Sequence, residues 1–313
     1  MPRSNPSPPP RAARTPGPTG RFAPSPTGRL YLGNLRTALL AWLFARSGGG
    51  RFLLRVEDLD AARSKAEYER TQIGDLRAIG LDWDGEPLHQ SARTERYREA
   101  LGGLRRRGRV YPCWCTRAEI RAAAEAPHGP LPEGAYPGTC RRLSAPERAE
   151  RERSGRPAAL RLDAQAAQVE FEDRLHGTVS GVVDDFVLWR GDDTPAYQLA
   201  VVVDDADQSV REVVRGDDLL DSTPRQLELA RLLGLPQPRY AHVPLVLGPD
   251  GARLAKRHGS VTLADHDPAR ALSWMAASLD LGEPGERVRP SELLDRFDPA
   301  ALPREPTIFV TEE

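Results

Sequence analysis

The chain has 313 residues, 39% of them hydrophobic and 28% charged, which leaves room for about two domains with substantial cores. No stretch approaches the roughly 18 uninterrupted apolar residues of a membrane-spanning helix, so that class is excluded and no membrane partner is expected. A formal net charge of −1 excludes bulk attraction as the way to hold a polyanion, and such a partner would have to be met by local basic patches.

The first twenty residues, MPRSNPSPPPRAARTPGPTG, carry no apolar core of the kind that directs export, and their proline content predicts a disordered tail on a cytoplasmic protein. Next, GRFAPSPTG reads as a strand running into a loop, and LGNLRTALLAWLFARSG places apolar residues at helical spacing. RFLLRVED reads as a buried strand, Ser64 to Ile79 as a helix stopped at Gly80, and Ala92 to Arg107 as a second helix. That second helix ends at Gly108 beside a basic cluster of Arg105, Arg106, Arg107 and Arg109. Strands alternating with helices predict parallel pairing, the first half of a doubly wound α/β domain over residues 21–110.

From 111 to 175 the pattern breaks into short pieces with Pro, Gly and cysteines, which predicts an inserted module. The second half of the layer resumes over 176–248. There TVSGVVDDFVLWR and PAYQLAVVVDDAD are predicted to be strand-rich, and REVVRGDDLLDS to be strand then turn. TPRQLELARLLG is predicted to be a helix with Thr223 as N-cap and Gly234 as C-cap. YAHVPLVLGPDGARLAKRHGS reads as a strand, a Pro-Asp-Gly turn and a basic loop, and the last segment, 249–313, as that loop followed by helices. Lysine occurs only at Lys65 and Lys256 in a chain that otherwise writes arginine, which draws attention to the compact ammonium of Lys256.

In a doubly wound sheet, ligands sit beyond the carboxyl ends of strands, where a loop enters a helix and free amides attract anions. Arg21 to Asn34 fits that place. Pro24, Pro26 and Gly28 shape a tight loop, and Gly33 lets the backbone approach a ligand. Neither GxGxxG nor GxxxxGK[ST] occurs there, so dinucleotide and P-loop readings have no direct support. Three cysteines, Cys113, Cys115 and Cys140, are too few for a disulfide framework and suit a metal instead. Structural zinc is four-coordinate, so one ligand is missing, with Tyr136 and His128 both inside the span.

Five stretches in order, RFAPSPTGRLYLGNLRTALLAWLFAR, LLRVEDLD, AYQLAVVVDD, VVRGDDLLDSTPRQ and RLAKRHG, closely resemble the class I glutamyl-tRNA synthetases from Arg21 to about His258. The resemblance implies an α/β chain, a class I aminoacyl-tRNA synthetase Rossmann catalytic domain with a zinc-stapled insertion and a short helical C-terminal segment. It implies a ligase that joins L-glutamate to ATP, with Mg²⁺, as glutamyl-adenylate and releases pyrophosphate. The family's first ATP motif falls on Tyr31, Leu32, Gly33 and Asn34, and its second on Arg253, Leu254, Ala255, Lys256 and Arg257. ATP binding is thereby expected at Gly33, Asn34 and Lys256, and catalytic roles at Lys256 and Tyr31. Lys256 would be the cation that stabilises charge growing on the phosphates. Tyr31 stands where the family has histidine; a phenol still donates one hydrogen bond, though from farther out, so slowed activation is expected.

By the same resemblance Arg21, Phe22, Ala23, Pro24, Ser25, Glu57, Tyr197 and Arg215 bind L-glutamate. Glu57 would take its α-ammonium, Tyr197 would add a directional donor, and Arg21 and Arg215 would suit its acidic side chain. The CxC…YxxxC order resembles the zinc site of a short paralogous family, the glutamyl-Q tRNA(Asp) synthetases, which implies Cys113, Cys115, Tyr136 and Cys140 as the ligands of one structural zinc, with His128 as the alternative to Tyr136. Too few residues follow Lys256 for the helical domain with which ordinary glutamyl-tRNA synthetases read the anticodon. This too resembles the short family, which moves glutamate onto the queuosine base in the anticodon loop of tRNA(Asp). The expected partners are L-glutamate, ATP and queuosine-bearing tRNA(Asp), met by a monomer, with Arg105 to Arg109 offering phosphate contacts. The alternatives are a truncated ordinary synthetase charging a 3′ end and an inactive synthetase-like binding protein.

Overall fold

The computed structural model describes residues 17–124, 135–259 and 261–310. The predicted tail falls outside this range up to residue 16, and Gly20 already opens the first strand; His128 also lies outside the described residues.

Strand β1 (Gly20–Phe22) leads through the Pro/Gly loop into helix α1 (Leu32–Ser47), followed by β2 (Phe52–Val56), α2 (Ala66–Ala78), β3 (Leu88–His89) and α3 (Thr94–Arg106). The next elements are β4 (Val110–Cys113), α4 (Arg117–Ala124), α5 (Ala145–Arg153), β5 (Ala159–Leu162), β6 (Gln168–Asp173), β7 (Gly177–Val182) and β8 (Val187–Trp189). Then come α6 (Tyr197–Asp207), β9 (Glu212–Gly216), α7 (Thr223–Leu233), β10 (Arg239–Val243) and β11 (Val246–Leu247), and the chain closes with α8 (Pro268–Ala277), α9 (Pro290–Leu293) and β12 (Thr307–Ile308).

Strands β1, β2 and β3 pair in parallel in that order. A second sheet runs β7-β6-β10-β9, with β10 parallel to both β6 and β9 and β7 antiparallel at the edge. The two are stitched side by side, because the N–H groups of Arg211 and Glu212 donate to the carbonyl of Thr19 at 2.9 and 3.2 Å. This joint is where the strand order reverses, and the carboxyl ends of β1 and β9 open there onto a crevice, the usual ligand position of such a layer. Helix α1 packs under it with Leu32, Leu35, Leu39, Leu40 and Leu43 all at most 1% exposed. Truncating one of these, for example Leu39→Ala, is expected to cost about 2–5 kcal/mol.

The cysteine segment forms a separate antiparallel sheet, β4-β5-β8. Strand β8, beyond residue 175, joins this sheet, whereas β6, before it, pairs with β10 in the parallel sheet.

Three local expectations are corrected. PAYQLAVVVDDAD, read as strand, contains helix α6: Leu199 to Val203 are all buried, packed against α3 and α7. A helix covered on every side loses the polar stripe that reveals its period, and a β-branched run then reads as strand. The N-cap of α7 is Ser222; Thr223 is its first residue and turns its hydroxyl to Arg215 and His242 instead. The final segment also contains β12, which pairs in parallel with β11.

Candidate active site and metal centre

Strand β9 carries Arg215 to the sheet joint, where its side chain is buried at 5% exposure. Its Nε donates to Nε2 of His242 at 3.0 Å, Nη1 to Gln226 Oε1 at 2.8 Å, and Nη2 to Thr223 Oγ1 at 2.8 Å and the Leu219 carbonyl at 3.4 Å. The Tyr240 ring lies 5.3 Å from the guanidinium carbon. Among the described residues these partners are an imidazole, an amide, a hydroxyl, a carbonyl and a ring, with no carboxylate in the set. An arginine buried without a counter-ion carries a large unrecovered desolvation cost, which an incoming anion would relieve.

Arg21 and Arg55 form a differently balanced group. Arg21 Nε lies 3.2 Å from Asp205 Oδ1, and Arg55 Nη1 lies 2.7 Å from the same oxygen. Arg55 also reaches Glu57 at 3.4 Å and Asp204 at 4.0 Å. Burial pushes the Asp205 carboxyl up, but the two guanidiniums more than reverse this and hold it below the usual carboxylate range. Glu57 goes the other way: burial raises it, and Arg55 and Arg21 only partly offset that. A carboxylate so placed gains from an added ammonium. Tyr197, at the start of α6, has its phenol pKa raised by burial and by Glu57, and it also feels Arg215 and Arg21. These four predicted residues therefore share one electrostatic neighbourhood.

The loop after β1 is held by backbone bonds: the Glu57 N–H donates to the Pro24 carbonyl at 3.0 Å, and Gln72 Nε2 donates to the carbonyls of Ser25 and Gly28 at 3.0 and 2.8 Å. Phe22, Tyr31, Gly33, Asn34, Gly216 and Arg253 line a cleft of about 190 Å³. Tyr31 caps α1, its N–H donating to Asn34 Oδ1 at 3.1 Å, and it bridges Thr262 across the cleft's rim. The close neighbour of Gly33 is protein: an added Cβ would meet Val246 Cβ at 3.1 Å. Arg253 pairs with Asp218 at 2.5 Å. Lys256 opens a short 3-10 turn, Lys256–His258, after the β11 strand.

The cysteines do converge. The sulfurs of Cys113, Cys115 and Cys140 all lie within 4.8 Å of one another. Cys115 and Cys140 are 3.4 Å apart, and the Tyr136 Oη stands 3.4 Å from Cys113 Sγ and 3.6 Å from Cys115 Sγ. Tetrahedral zinc with sulfur at about 2.3 Å and oxygen at about 2.0 Å sets ligand-to-ligand edges of about 3.5–3.8 Å. Three sulfurs and the tyrosine oxygen thus fit the donor set of one such ion. Hydrogen bonds from Cys140 and Tyr136 lower the Cys113 thiol while Cys140 and Tyr136 are themselves raised, so the cluster favours one thiolate, and a bound cation would have to draw the protons from the other donors. The Cys140 N–H donates to Tyr136 Oη at 2.8 Å, and Arg161 stacks over the Tyr136 ring at 3.8 Å. The basic helix end is more dispersed: Arg105, Arg106 and Arg107 are exposed, Arg107 reaches the Leu232 carbonyl, and Arg109 lies 4.0 Å from Glu228.

Sequence reasoning missed Asp173, His242, Thr223 and Gln226 around Arg215, and Arg55, Asp204 and Asp205 behind Arg21. One signal was available: Arg55 in FLLRV and His242 in RYAHV are polar residues inside buried strands, where a polar group needs a partner.

The chain matches the model of the class I tRNA synthetases (E and Q), catalytic domain, over residues 19–271. It is 62% identical to the glutamyl-Q tRNA(Asp) synthetase of Nocardia farcinica over 90% of this chain and 89% of that one. Against the glutamyl-Q tRNA(Asp) synthetase of Symbiobacterium thermophilum it is 52% identical, covering 90% and 93%. A glutamate tRNA ligase from Elizabethkingia meningosepticum, solved in complex with its amino acid, superposes with a TM-score of 0.80 at 27% identity, over 94% of this chain and 67% of that one. With a catalytic-domain match across most of its length and relatives of this similarity, the chain belongs to the class I tRNA synthetases of the glutamyl and glutaminyl group.

Proposed function

We propose that this chain activates L-glutamate with ATP and transfers it to the queuosine base in the anticodon loop of tRNA(Asp), a reading supported by its relatives from Nocardia and Symbiobacterium, each named a glutamyl-Q tRNA(Asp) synthetase. The observation that carries the amino-acid side is Arg215, a buried cation whose partners are all neutral. A glutamate side-chain carboxylate supplies the missing charge, whereas glutamine does not. Glu57 takes the α-ammonium, which offsets the desolvation of its carboxylate, and Tyr197 and Arg21 complete the pocket. Phe22, Ala23, Pro24 and Ser25 contribute the loop against which the amino acid lies.

The α-carboxylate then attacks the α-phosphorus of ATP, which enters as its magnesium complex; the bond to pyrophosphate breaks and glutamyl-adenylate forms. Gly33, at the start of α1, faces the nucleotide with a helix amide, and Asn34, whose own N–H is held by the Tyr31 carbonyl, does so with its side chain. Lys256 meets the charge that grows on the phosphates, and Tyr31 offers a phenol hydrogen bond in place of an imidazole. A nucleophile of the modified base next attacks the activated carbonyl, and AMP leaves. One zinc held by Cys113, Cys115, Tyr136 and Cys140 would fix the β4 turn to the 139–142 turn; the tetrahedral spacing of those donors supports it. The work is that of a monomer in the cytoplasm, where its RNA substrate is.

The test uses labelled glutamate with tRNA(Asp) bearing or lacking queuosine. Label is expected only on the modified RNA, and it should survive removal of the 3′-terminal adenosine. Label lost with that adenosine would instead identify an ordinary charging enzyme, and no glutamate-dependent ATP–pyrophosphate exchange at all would identify a binding protein.

A further inference from the structure

We propose that Asp173 and His242 are positioning residues for Arg215: a carboxylate and an imidazole in series that hold the guanidinium still while leaving its charge for the ligand. The inference rests on the glutamate reading of the pocket and adds how its key cation is kept in place and available.

The three residues sit on adjacent strands. In the parallel register His242 pairs with Arg215 across β10 and β9, and Tyr240 with Asp173 across β10 and β6. Asp173 and His242 have fully buried side chains. The Asp173 carboxylate accepts the N–H of Leu175 at 2.9 Å, of His176 at 3.1 Å and of His242 at 3.1 Å, and faces His242 Nδ1 at 2.7 Å. A carboxylate with so many donors is held ionised and can only accept, so the imidazole hydrogen belongs on Nδ1. Nε2 is then a lone pair, which accepts from the Arg215 Nε at 3.0 Å and also faces the Thr223 hydroxyl at 3.1 Å. Burial, with the nearby Arg215 and His176, lowers the imidazole pKa more than the Asp173 carboxylate raises it, in keeping with the neutral ring.

Interposing the ring has a physical consequence. A carboxylate in direct contact with Arg215 would compete with the ligand's own carboxylate. Moved one imidazole away, to roughly twice the contact distance, its attraction for the guanidinium falls to roughly half. Its orienting effect is kept, because Nε, Nη1 and Nη2 each have a directed partner. Among the hydrogen bonds formed, Nη1 uses one of its two hydrogens, on Gln226, and the other is left to meet an anion.

Two measurements test this on the full chain. In glutamate-dependent ATP–pyrophosphate exchange, Asp173→Asn is expected to raise the KM for glutamate about tenfold, with kcat and the KM for ATP within about twofold. His242→Leu, which cannot accept from Arg215, should raise it further, and His242→Gln, whose amide oxygen can, should recover most of the loss. Independently of any variant, ¹⁵N shifts of His242 in the unsubstituted chain should report a neutral ring with its hydrogen on Nδ1. Folded variants with unchanged KM for glutamate, or with KM for ATP rising in step, overturn the proposal, as does an Nε2–H or doubly protonated ring. If the unsubstituted chain shows no exchange with glutamate, the reading of the pocket falls, and the tautomer alone then decides whether the series of bonds exists.

Discussion

Two groups of buried arginines lie within electrostatic reach of Tyr197, and they are balanced in opposite ways. Arg21 and Arg55 converge on Asp205, with Glu57 and Asp204 beside Arg55. Arg215 touches only neutral atoms. Removing an ion from water without its opposite costs several kcal/mol, so Arg55 is neutralised as folded, Arg21 holds one counter-ion in Asp205, and Arg215 is complete only with an anion from outside. In a chain this rich in arginine, residue type does not separate scaffold from receptor, whereas the charge balance around each guanidinium does.

The contrast is broken most severely at Arg55. Arg55→Met strips Asp205 and Glu57 of a cation and is expected to destabilise the fold by about 3–5 kcal/mol, read from the urea midpoint; a variant as stable as the original would show that this group does not depend on it. Arg215→Gln should do the reverse: stability within about 1 kcal/mol of the original, but a KM for glutamate raised about a hundredfold in pyrophosphate exchange. Stability lost with KM unchanged would exchange the two assignments. At the metal centre, which is balanced by thiolates rather than by arginine, Tyr136→Phe should weaken zinc retention against a chelator by at least tenfold, and equal retention would remove the tyrosine from the ligand set. The smallest effect expected is a gain: Tyr31→His should raise the exchange rate about tenfold, roughly 1.4 kcal/mol of barrier, and no gain would show that this position does not limit activation.

Much of this was legible in the chain. The Pro/Gly loop entering α1, the strand FLLRV and the CxC…YxxxC spacing each carry a local pattern with a physical cause, and the structure brings Cys113, Cys115, Tyr136 and Cys140 together. Helix α6 was hidden because burial on all sides removes its period. The Asp173–His242 pair was hidden for another reason: its partners lie 69 positions apart, and only the sheet order places them side by side. That Glu57 and Tyr197 share a neighbourhood with Arg21 and Arg215 was not legible locally, because these residues lie far apart in the chain and meet only through the order of the strands.

The depth of Arg215 has a consequence for ionic strength. Its charge lies at 5% exposure, where salt screens it far less, whereas Arg105 and Arg106 stand in solvent, where phosphate contacts are displaced by counterions. Added potassium chloride should therefore leave adenylate formation nearly unchanged while the step on RNA declines steeply. One titration then resolves the two half-reactions, and parallel decline of both would place the amino-acid pocket in open contact with the electrolyte.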